Sequence, residues 1–227
     1  MENIFIGICG LIGSGKTSLA TSLGEVLNLP VFYEEVIEND YLDDFYKDMG
    51  KYSFPLQIYL LNKRFKQHQQ IIWQGKGGVQ DRTIYEDTIF AKMLMEDGKM
   101  DERDYKTYLD LFNNMANFMR KPNIIIFLDV KPEQSLERIK MRARNMESSI
   151  KIEYLEKLAK AYENFIKDIS KVIPVIRVNW DQFGMGLGAA QTDFEQVCSK
   201  SFYTAEKMAA IIKEEYEKLS IVHNVKW

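Results

Sequence analysis

A glycine-rich segment near the start of the chain has the residue types and spacing needed to bind a polyphosphate. It reads Gly10-x-x-x-x-Gly15-Lys16-Thr17 and follows an apolar run that begins at Ile4. The glycines let backbone N–H groups close on phosphate oxygens, the lysine neutralises charge, and the threonine hydroxyl is a ligand for Mg²⁺. A chance glycine-rich turn is the alternative, but the position between a strand and a helix favours a nucleoside triphosphate site. The residues expected to bind the triphosphate are Gly10, Gly13, Ser14, Gly15, Lys16, Thr17 and Ser18.

Two carboxylates follow short apolar segments that read as strands. Glu34 comes directly after Val31-Phe32-Tyr33, and Asp81 comes after Val79-Gln80. Ligands of α/β proteins bind beyond the carboxyl ends of parallel strands, so both carboxylates are expected at the site. Glu34 is a candidate general base, Asp81 a candidate Mg²⁺ ligand, and Arg82 can brace a phosphate. The alternatives are that Glu34 opens an acidic, solvent-exposed run and that Asp81 only begins a turn before a capped helix.

A long helix is predicted from Ser53 to Trp73, with Pro55 in its first turn. Gln57 and Arg64 are seven residues apart, which places them two turns apart on one stripe of this helix. Their side chains can make bidentate hydrogen bonds of the kind that a heterocyclic base accepts. The alternative is two surface polar residues on an amphipathic helix, and we expect His68 on the same helix to lie at the surface.

An arginine cluster falls in a helix predicted from Pro132 to Asn145. Arg138 and Arg142 are neighbours on one helix face, and Arg144 follows within a turn. The cluster could close over phosphates as a lid spanning about residues 138–147. Ordinary solvated charge is the alternative, and the phosphate loop elsewhere in an acidic protein favours the lid.

Alternating strands and helices must position these residues. This pattern predicts an α/β fold with a parallel sheet of about five strands and helices on both faces. The strands are predicted at residues 4–9, 31–33, 79–81, 123–130 and 174–179, and the other helices at 16–28, 84–96, 101–120, 150–171 and 201–219. Residues 180–200 carry no assignable pattern beyond a loop or insertion.

Composition narrows the class of protein. The 227 residues are 46% hydrophobic and 28% charged, as in an ordinary globular chain, and we expect one domain over 1–227. A net charge of −3 disfavours nucleic-acid polymers and anionic membranes as partners. The two cysteines, Cys9 and Cys198, fit a reducing compartment, and no apolar run approaches the ~20 residues of a membrane span. A soluble, cytoplasmic protein is expected.

Together these motifs resemble the deoxynucleoside kinase family, the P-loop enzymes that phosphorylate deoxyribonucleosides, and above all its bacterial-type deoxyadenosine and deoxyguanosine kinases. The resemblance spans most of residues 4 to 180. Glu34-Glu35-Val36 stands in the place of the family's catalytic Glu-x-Val, and Asp81-Arg82-Thr83 in that of its Asp/Glu-Arg-Ser. The resemblance therefore implies a general base at Glu34, a magnesium-associated carboxylate at Asp81, and an arginine near the phosphate-transfer centre at Arg82.

The resemblance also implies which residues bind the nucleoside. Phe54-Pro55-Leu56-Gln57 matches the base-reading Phe-x-x-Gln of the family, with Arg64 and Asp87 completing the base site. Tyr46 and Glu147 would hold the 3′-hydroxyl of the sugar.

The sequence departs from the family's pattern at two places, after the lid and after Trp180. The lid is followed by Met146-Glu147, where the family often has two acidic residues. A glycine-rich stretch follows Trp180, where the family has a short adenine-contacting loop, and Asp181 and Phe183 are the candidates there.

The implied reaction is transfer of the γ-phosphoryl group of ATP, with Mg²⁺, to the 5′-hydroxyl of a 2′-deoxyribonucleoside, deoxyadenosine or another deoxypurine nucleoside. The expected catalytic residues are Glu34, Arg82, Lys16 and Arg142, and Arg138, Arg142 and Arg144 would bind ATP. A homodimer is also expected, since the apolar stripes of the helices at 84–96 and 101–120 could pack between subunits. The alternatives are a deoxycytidine-preferring kinase, a nucleoside monophosphate kinase of thymidylate kinase type, and a catalytically silent nucleotide-binding protein.

Overall fold

The computed structural model describes residues 3–34, 39–144, 147, 150–180 and 205–223. Strands and helices alternate along these ranges, with a short 3₁₀ helix at Ile84–Glu86. The elements are β1 (Phe5–Gly10), α1 (Lys16–Leu27), β2 (Val31–Phe32), α2 (Leu42–Lys47), α3 (Met49–Gln74), β3 (Gly78–Asp81), α4 (Asp87–Glu96), α5 (Glu102–Ala116), β4 (Ile124–Asp129), α6 (Pro132–Arg142), α7 (Ile152–Ile169), β5 (Val175–Asn179) and α8 (Ala205–His223). None of the described helices combines the length and apolar character that crossing a membrane requires.

The five strands form one parallel sheet in the order β2-β3-β1-β4-β5. This confirms the predicted five-stranded parallel sheet. β1 lies at the centre, where Ile6 pairs with Val79 of β3 on one side and with Ile124 of β4 on the other. Every residue of β1 is buried, as expected for a strand that helices cover on both faces.

Alternate residues of β1 point into two separate apolar cores. Ile8 belongs to the core that includes Leu19 of α1 and Ile212 of α8. Cys9 belongs to the opposite core, which includes Tyr162 of α7 and much of α3, α4 and α5. The helices on both faces that the sequence predicts are therefore present, and they hold the carboxyl ends of β1, β2 and β3 side by side.

Helix α3 begins at Met49, earlier than the predicted start at Ser53. The side chain of Asp48 caps the helix by accepting a hydrogen bond of 3.1 Å from the backbone N–H of Lys51. Pro55 consequently lies in the second turn instead of the first, and the long helix tolerates the loss of its N–H.

The expectation that His68 lies at the surface is wrong. The side chain is fully buried, its Nε2 lies 2.7 Å from the carbonyl oxygen of Arg120, and its ring meets the edge of Phe5. Burial lowers the pKa of His68 below its ordinary value. The sequence pattern fails here because α3 packs against both the sheet and α5, so its buried stripe is wider than its apolar residues indicate.

Helix α6 ends at Arg142 and not at the predicted Asn145. Ala143 has φ of 51°, a left-handed conformation that stops the helix, so Arg144 lies beyond it. The predicted candidates Asp181 and Phe183, together with Glu35 and Val36, lie outside the described residues.

Candidate active site

The loop between β1 and α1 has the backbone shape of a phosphate-binding loop. Gly10 and Gly15 have φ of 146° and 95°, which residues with a Cβ rarely adopt, and a Cβ on Gly10 would lie 2.8 Å from the carbonyl oxygen of Leu128. Gly15 directly precedes Lys16, the first residue of α1, so the free N–H groups of the helix begin at the loop. The other predicted phosphate-binding residues, Gly13, Ser14, Thr17 and Ser18, lie in the same loop and the first turn of α1.

The ammonium group of Lys16 is buried inside this loop. Its Nζ donates to the carbonyl oxygens of Leu11 at 2.7 Å and of Gly10 at 3.1 Å. Burial and the nearby guanidinium of Arg82 lower the pKa of Lys16 to about 8. An ammonium group that is desolvated in this way interacts strongly with a phosphate oxygen, because little water competes for it.

Thr17 and Asp81 meet at the carboxyl ends of β1 and β3. The threonine hydroxyl donates to Oδ2 of Asp81 at 2.5 Å, while Oδ1 is buried and has no hydrogen-bond partner among the described residues. Burial raises the pKa of Asp81 above its ordinary value. A hydroxyl and a carboxylate side by side fit Mg²⁺, which prefers oxygen ligands. The described ranges hold no group of three or more His, Cys, Asp or Glu side chains that could hold a metal ion by itself. Mg²⁺ usually takes one or two carboxylates together with substrate phosphates and water.

Glu34 lies between two arginines. Its Oε1 is 3.1 Å from Nε of Arg82 and also contacts Nη2 of Arg64. Burial acts to raise the pKa of Glu34, but Arg82, Arg64 and Lys16 outweigh it and lower the pKa to about 2. Glu34 is therefore ionised at neutral pH and can accept a hydrogen bond from a substrate hydroxyl. The alternative of a solvent-exposed acidic run does not describe Glu34, which is 20% exposed.

Arg64 links Glu34 to the predicted base-reading residues. Its Nη1 contacts Asp87 at the start of α4, and its Nη2 contacts Glu34. Gln57, Arg64 and Asp87 are all buried, which excludes the alternative of surface polar residues on α3. Oε1 of Gln57 and Nε of Arg64 are buried and lack a hydrogen-bond partner within the described residues. Oδ2 of Asp87 is likewise buried without a partner among these residues, so two acceptors and one donor remain for a bound base.

The guanidinium of Arg82 is buried among polar side chains that the sequence does not reveal as its partners. Its Nη1 donates to Tyr162 at 2.9 Å and to Glu86 at 3.1 Å. The only sequence signal for Glu86 is its place three residues after Thr83, the spacing of a helix capping box. The backbone N–H of Thr83 donates to Oε1 of Glu86 at 3.0 Å. No sequence signal identifies Tyr162, which lies 80 residues further along the chain.

The lid arginines divide into two groups. Arg138 donates to the carbonyl oxygens of Ser14 in the phosphate loop, at 3.2 Å, and of Trp180 at 2.8 Å. Arg142 and Arg144 instead contact the buried carboxylate of Glu147, at 2.5 Å and 3.6 Å. The cluster thus lies over the loop at one end and beside the predicted sugar site at the other.

Tyr46 on α2 lies on the same side of the site as Glu147. It packs against a small apolar core that includes Ile150 and Tyr154. Burial raises the pKa of Tyr46, and Tyr154 and Glu147 raise it further through their charge. The hydroxyl therefore stays protonated and can donate a hydrogen bond to a sugar oxygen.

Comparison with known proteins agrees with this geometry. A sequence model of the family described as deoxynucleoside kinase matches residues 6–203. The deoxyadenosine kinase of Dictyostelium discoideum is 55% identical over 225 residues, which cover 99% of this chain and 84% of that protein. The deoxyadenosine/deoxycytidine kinase of Bacillus subtilis is 40% identical over 81% of this chain and 86% of its own.

Solved structures show the same similarity. The structure of deoxyadenosine kinase from M. mycoides with the products dCMP and a flexible dCDP bound superposes with a TM-score of 0.72 at 34% identity. It covers 87% of this chain and 98% of the M. mycoides chain. The same enzyme with bound dATP gives a TM-score of 0.71.

Proposed function

The chain belongs to the deoxynucleoside kinase family and is an ATP-dependent phosphotransferase, and we propose that deoxyadenosine is the nucleoside it phosphorylates best. Its product is then the 5′-monophosphate. The observation that carries the proposal is the buried contact of Arg64 with both Glu34 and Asp87, beside Gln57. It joins the residues expected to read the base to the carboxylate expected to act on the hydroxyl.

Adenine suits the groups that this cluster offers. The amide of Gln57 has both a donor and an acceptor, which match the N6 and N7 edge of adenine. The similarity to deoxyadenosine kinases of 55% and 34% identity supports the same choice. Deoxycytidine is the second candidate, because a relative at 40% identity is a deoxyadenosine/deoxycytidine kinase. The amide can also serve the donor and acceptor edge of cytosine.

In the proposed reaction, Glu34 accepts the hydrogen bond of the 5′-hydroxyl and takes its proton as the new O–P bond forms, while the bond from the γ-phosphorus to the β,γ-bridging oxygen of ATP breaks and ADP leaves. Lys16 and the loop N–H groups bind the ATP phosphates, and Arg82 and Arg142 stabilise the charge that develops on the transferring phosphoryl oxygens. Thr17 and Asp81 would hold Mg²⁺, which when bound would neutralise charge on the phosphates. Tyr46 and Glu147 would fix the sugar through its 3′-hydroxyl.

A nucleoside monophosphate as acceptor fits this site less well. An acceptor phosphate needs its own cations, and Arg64, two turns after Gln57 on α3, already contacts the two carboxylates of Glu34 and Asp87. A catalytically silent binding protein would not need the buried carboxylates and arginines around Glu34. We therefore propose neither a nucleoside monophosphate kinase nor a catalytically silent binding protein.

The single domain over 1–227 and the homodimer are also proposals. Two large aromatic side chains are strongly exposed, Phe118 beyond the end of α5 and Trp73 at the end of α3. Exposed apolar side chains of this size support an interface with a second copy of the chain. Light scattering should give the mass of two chains of 26.6 kDa. A monomer mass across the working concentration range would contradict the dimer.

The proposed acceptor is tested by measuring kcat/KM with ATP and each deoxynucleoside, and with dAMP and dTMP, under the same conditions. We expect deoxyadenosine to give the largest value and both monophosphates to give no turnover. A larger value for thymidine or for a monophosphate would overturn the proposal.

A further inference from the structure

We propose that Glu86 and Tyr162 are positioning residues for phosphoryl transfer, which hold the guanidinium of Arg82 so that its Nη2 faces the transferred phosphoryl group. The inference rests on the proposed function, because it assumes that this group passes beside Glu34 and Arg82. It adds two residues that touch neither substrate, and one of them comes from a helix far away in the sequence.

The guanidinium of Arg82 has five N–H groups in a fixed plane. The two on Nη1 are used by Tyr162 and Glu86, at 2.9 Å and 3.1 Å. The one on Nε faces Glu34, 3.1 Å away. Within the described ranges, no protein group forms a hydrogen bond or an ion pair with Nη2. Its two N–H groups are therefore the ones directed to a phosphoryl oxygen, next to the carboxylate that takes the proton.

Glu86 and Tyr162 form a closed network with this arginine. The hydroxyl of Tyr162 donates to Oε2 of Glu86, the same oxygen that accepts from Arg82. The other oxygen of Glu86 accepts from the backbone N–H of Thr83 at 3.0 Å, which ties the network to the main chain. Glu86 and Tyr162 are fully buried and Arg82 is 4% exposed. In a buried network of this kind, the loss of one member leaves each of its neighbours with one partner fewer.

The aromatic surroundings make this support rigid. The ring of Tyr162 stacks on Phe127 of β4, with centroids 5.8 Å apart and an angle of 21° between the planes. The edge of Phe90 meets the same ring at 6.4 Å, and the guanidinium of Arg82 lies over Phe90 at 5.2 Å. A side chain fixed against the central sheet can place its partner more accurately than a loop residue can.

The backbone of Arg82 is consistent with a constrained position. Its φ of 71° lies in the left-handed region, which residues other than glycine rarely adopt. Such a conformation persists where the surroundings over-determine it. Two features hold Arg82 in this conformation. One is the network around its side chain, and the other is the hydrogen bond of 3.0 Å from its backbone N–H to the carbonyl oxygen of Ile8.

The test compares Tyr162→Phe with Tyr85→Phe as a matched control. Tyr85 is also buried, its hydroxyl has no partner in the described part of the chain, and burial alone raises the pKa of Tyr85 to about 12. We expect Tyr162→Phe to lower kcat about tenfold while both KM values stay within about twofold, since misplacing Arg82 affects the transition state more than binding. Tyr85→Phe should keep the wild-type kcat.

A double-mutant cycle with Arg82→Lys then separates positioning from general packing. If Tyr162 acts through Arg82, adding Tyr162→Phe to Arg82→Lys should lower kcat by less than about twofold further. Independent, multiplicative effects would overturn the inference, and so would a Tyr162→Phe variant with normal kcat. If Tyr162→Phe does not fold, Glu86→Gln replaces it, with the same expected changes in kcat and the same contradicting results. A wild type without activity on any deoxynucleoside would overturn the proposed function and this inference together, whereas an active wild type with an unaffected variant overturns the inference alone.

Discussion

The Nη2 atom of Arg142 lies 2.5 Å from Oε2 of Glu147. In the proposed function, the first residue binds the phosphates of ATP and the second binds the sugar of the nucleoside. Their ion pair would then connect the donor side of the site to the acceptor side. Glu147 is 5% exposed and Arg142 is 35% exposed, so the carboxylate is the fixed partner and the arginine is the one that solvent reaches.

Replacing Arg142 tests the arginine lid. In Arg142→Ala, kcat should fall about 10²-fold, with a smaller change in nucleoside affinity, because the lost cation acts mainly on charge that develops during transfer. Steady-state kinetics and calorimetric binding of the nucleoside measure the two effects. Arg103→Ala, an exposed arginine on α5, serves as the control. An unchanged kcat would return the arginine cluster to ordinary surface charge.

The 3′-hydroxyl should matter if Tyr46 and Glu147 hold it. A 2′,3′-dideoxynucleoside should give a kcat/KM lower by about 10-fold or more, because the buried polar groups of both residues then lose a partner. In Glu147→Gln and Tyr46→Phe this discrimination should shrink. Equal efficiency of the wild type on deoxy and dideoxy substrates would refute the assignment.

The catalytic role of Glu34 is tested by Glu34→Gln. We expect kcat to fall by about 10² to 10⁴, with ATP affinity nearly unchanged, because the amide cannot take the hydroxyl proton. Glu25→Gln, on the exposed face of α1, should leave kcat at its wild-type value. A Glu34→Gln variant with normal turnover would move the base elsewhere, and Glu35 would be the next candidate.

Glu34 should also make the free energy of unfolding depend on pH, with stability falling as the pH is lowered. Burial acts to raise the pKa of Glu34, but Arg82 and Arg64 lower it to about 2, below the ordinary 4.5. Such a group stabilises the fold above its unfolded pKa, and the contribution is lost as pH falls towards the folded pKa. The contribution is roughly 3 kcal/mol at neutral pH. Urea unfolding from neutral pH down to about pH 3 should show the difference between wild type and Glu34→Gln shrinking below about pH 4.5. A difference that is constant with pH would contradict this.

The sheet and the phosphate loop can be predicted from the sequence because their signals are local. The strands of the central sheet are short, apolar runs, and the loop is a contiguous motif whose glycines have a direct backbone meaning. The approximate positions of Glu34 and Asp81 follow from the rule that ligands bind beyond strand ends.

The remaining features depend on packing between distant elements. His68 is buried because Phe5 of β1, Tyr85 and the segment after α5 surround it, and no pattern within α3 shows this. Tyr162 contacts Arg82 because α7 packs against β4, where the ring of Tyr162 stacks on Phe127. The apolar stripe of α7 does not indicate which of its hydroxyl groups will contact a charged side chain. The start of α3 differs from the prediction because its cap, Asp48, is one of several acidic residues in the segment before the helix.

Base selection should depend on the buried pair of Arg64 and Asp87. In the proposed site, the pair would occupy the volume near the methyl group of a bound thymine, and desolvating it against that methyl would cost binding energy. Replacing both, as Arg64→Met with Asp87→Ala, should raise kcat/KM for thymidine and lower it for deoxyadenosine, while Glu34 keeps its contact with Arg82. Arg64→Met alone should be worse than the double variant, because it leaves the fully buried Asp87 without its partner.

The most direct measurement is a competition in which the wild type and the double variant each receive ATP and equal concentrations of deoxyadenosine and thymidine. The ratio of dAMP to dTMP formed gives the ratio of the two kcat/KM values. The wild type should form dAMP in large excess, and the double variant should lower the ratio by about 10-fold or more. An excess of dTMP from the wild type, or the same ratio from both proteins, would contradict the deoxyadenosine assignment and the role of Arg64 and Asp87 in reading the base.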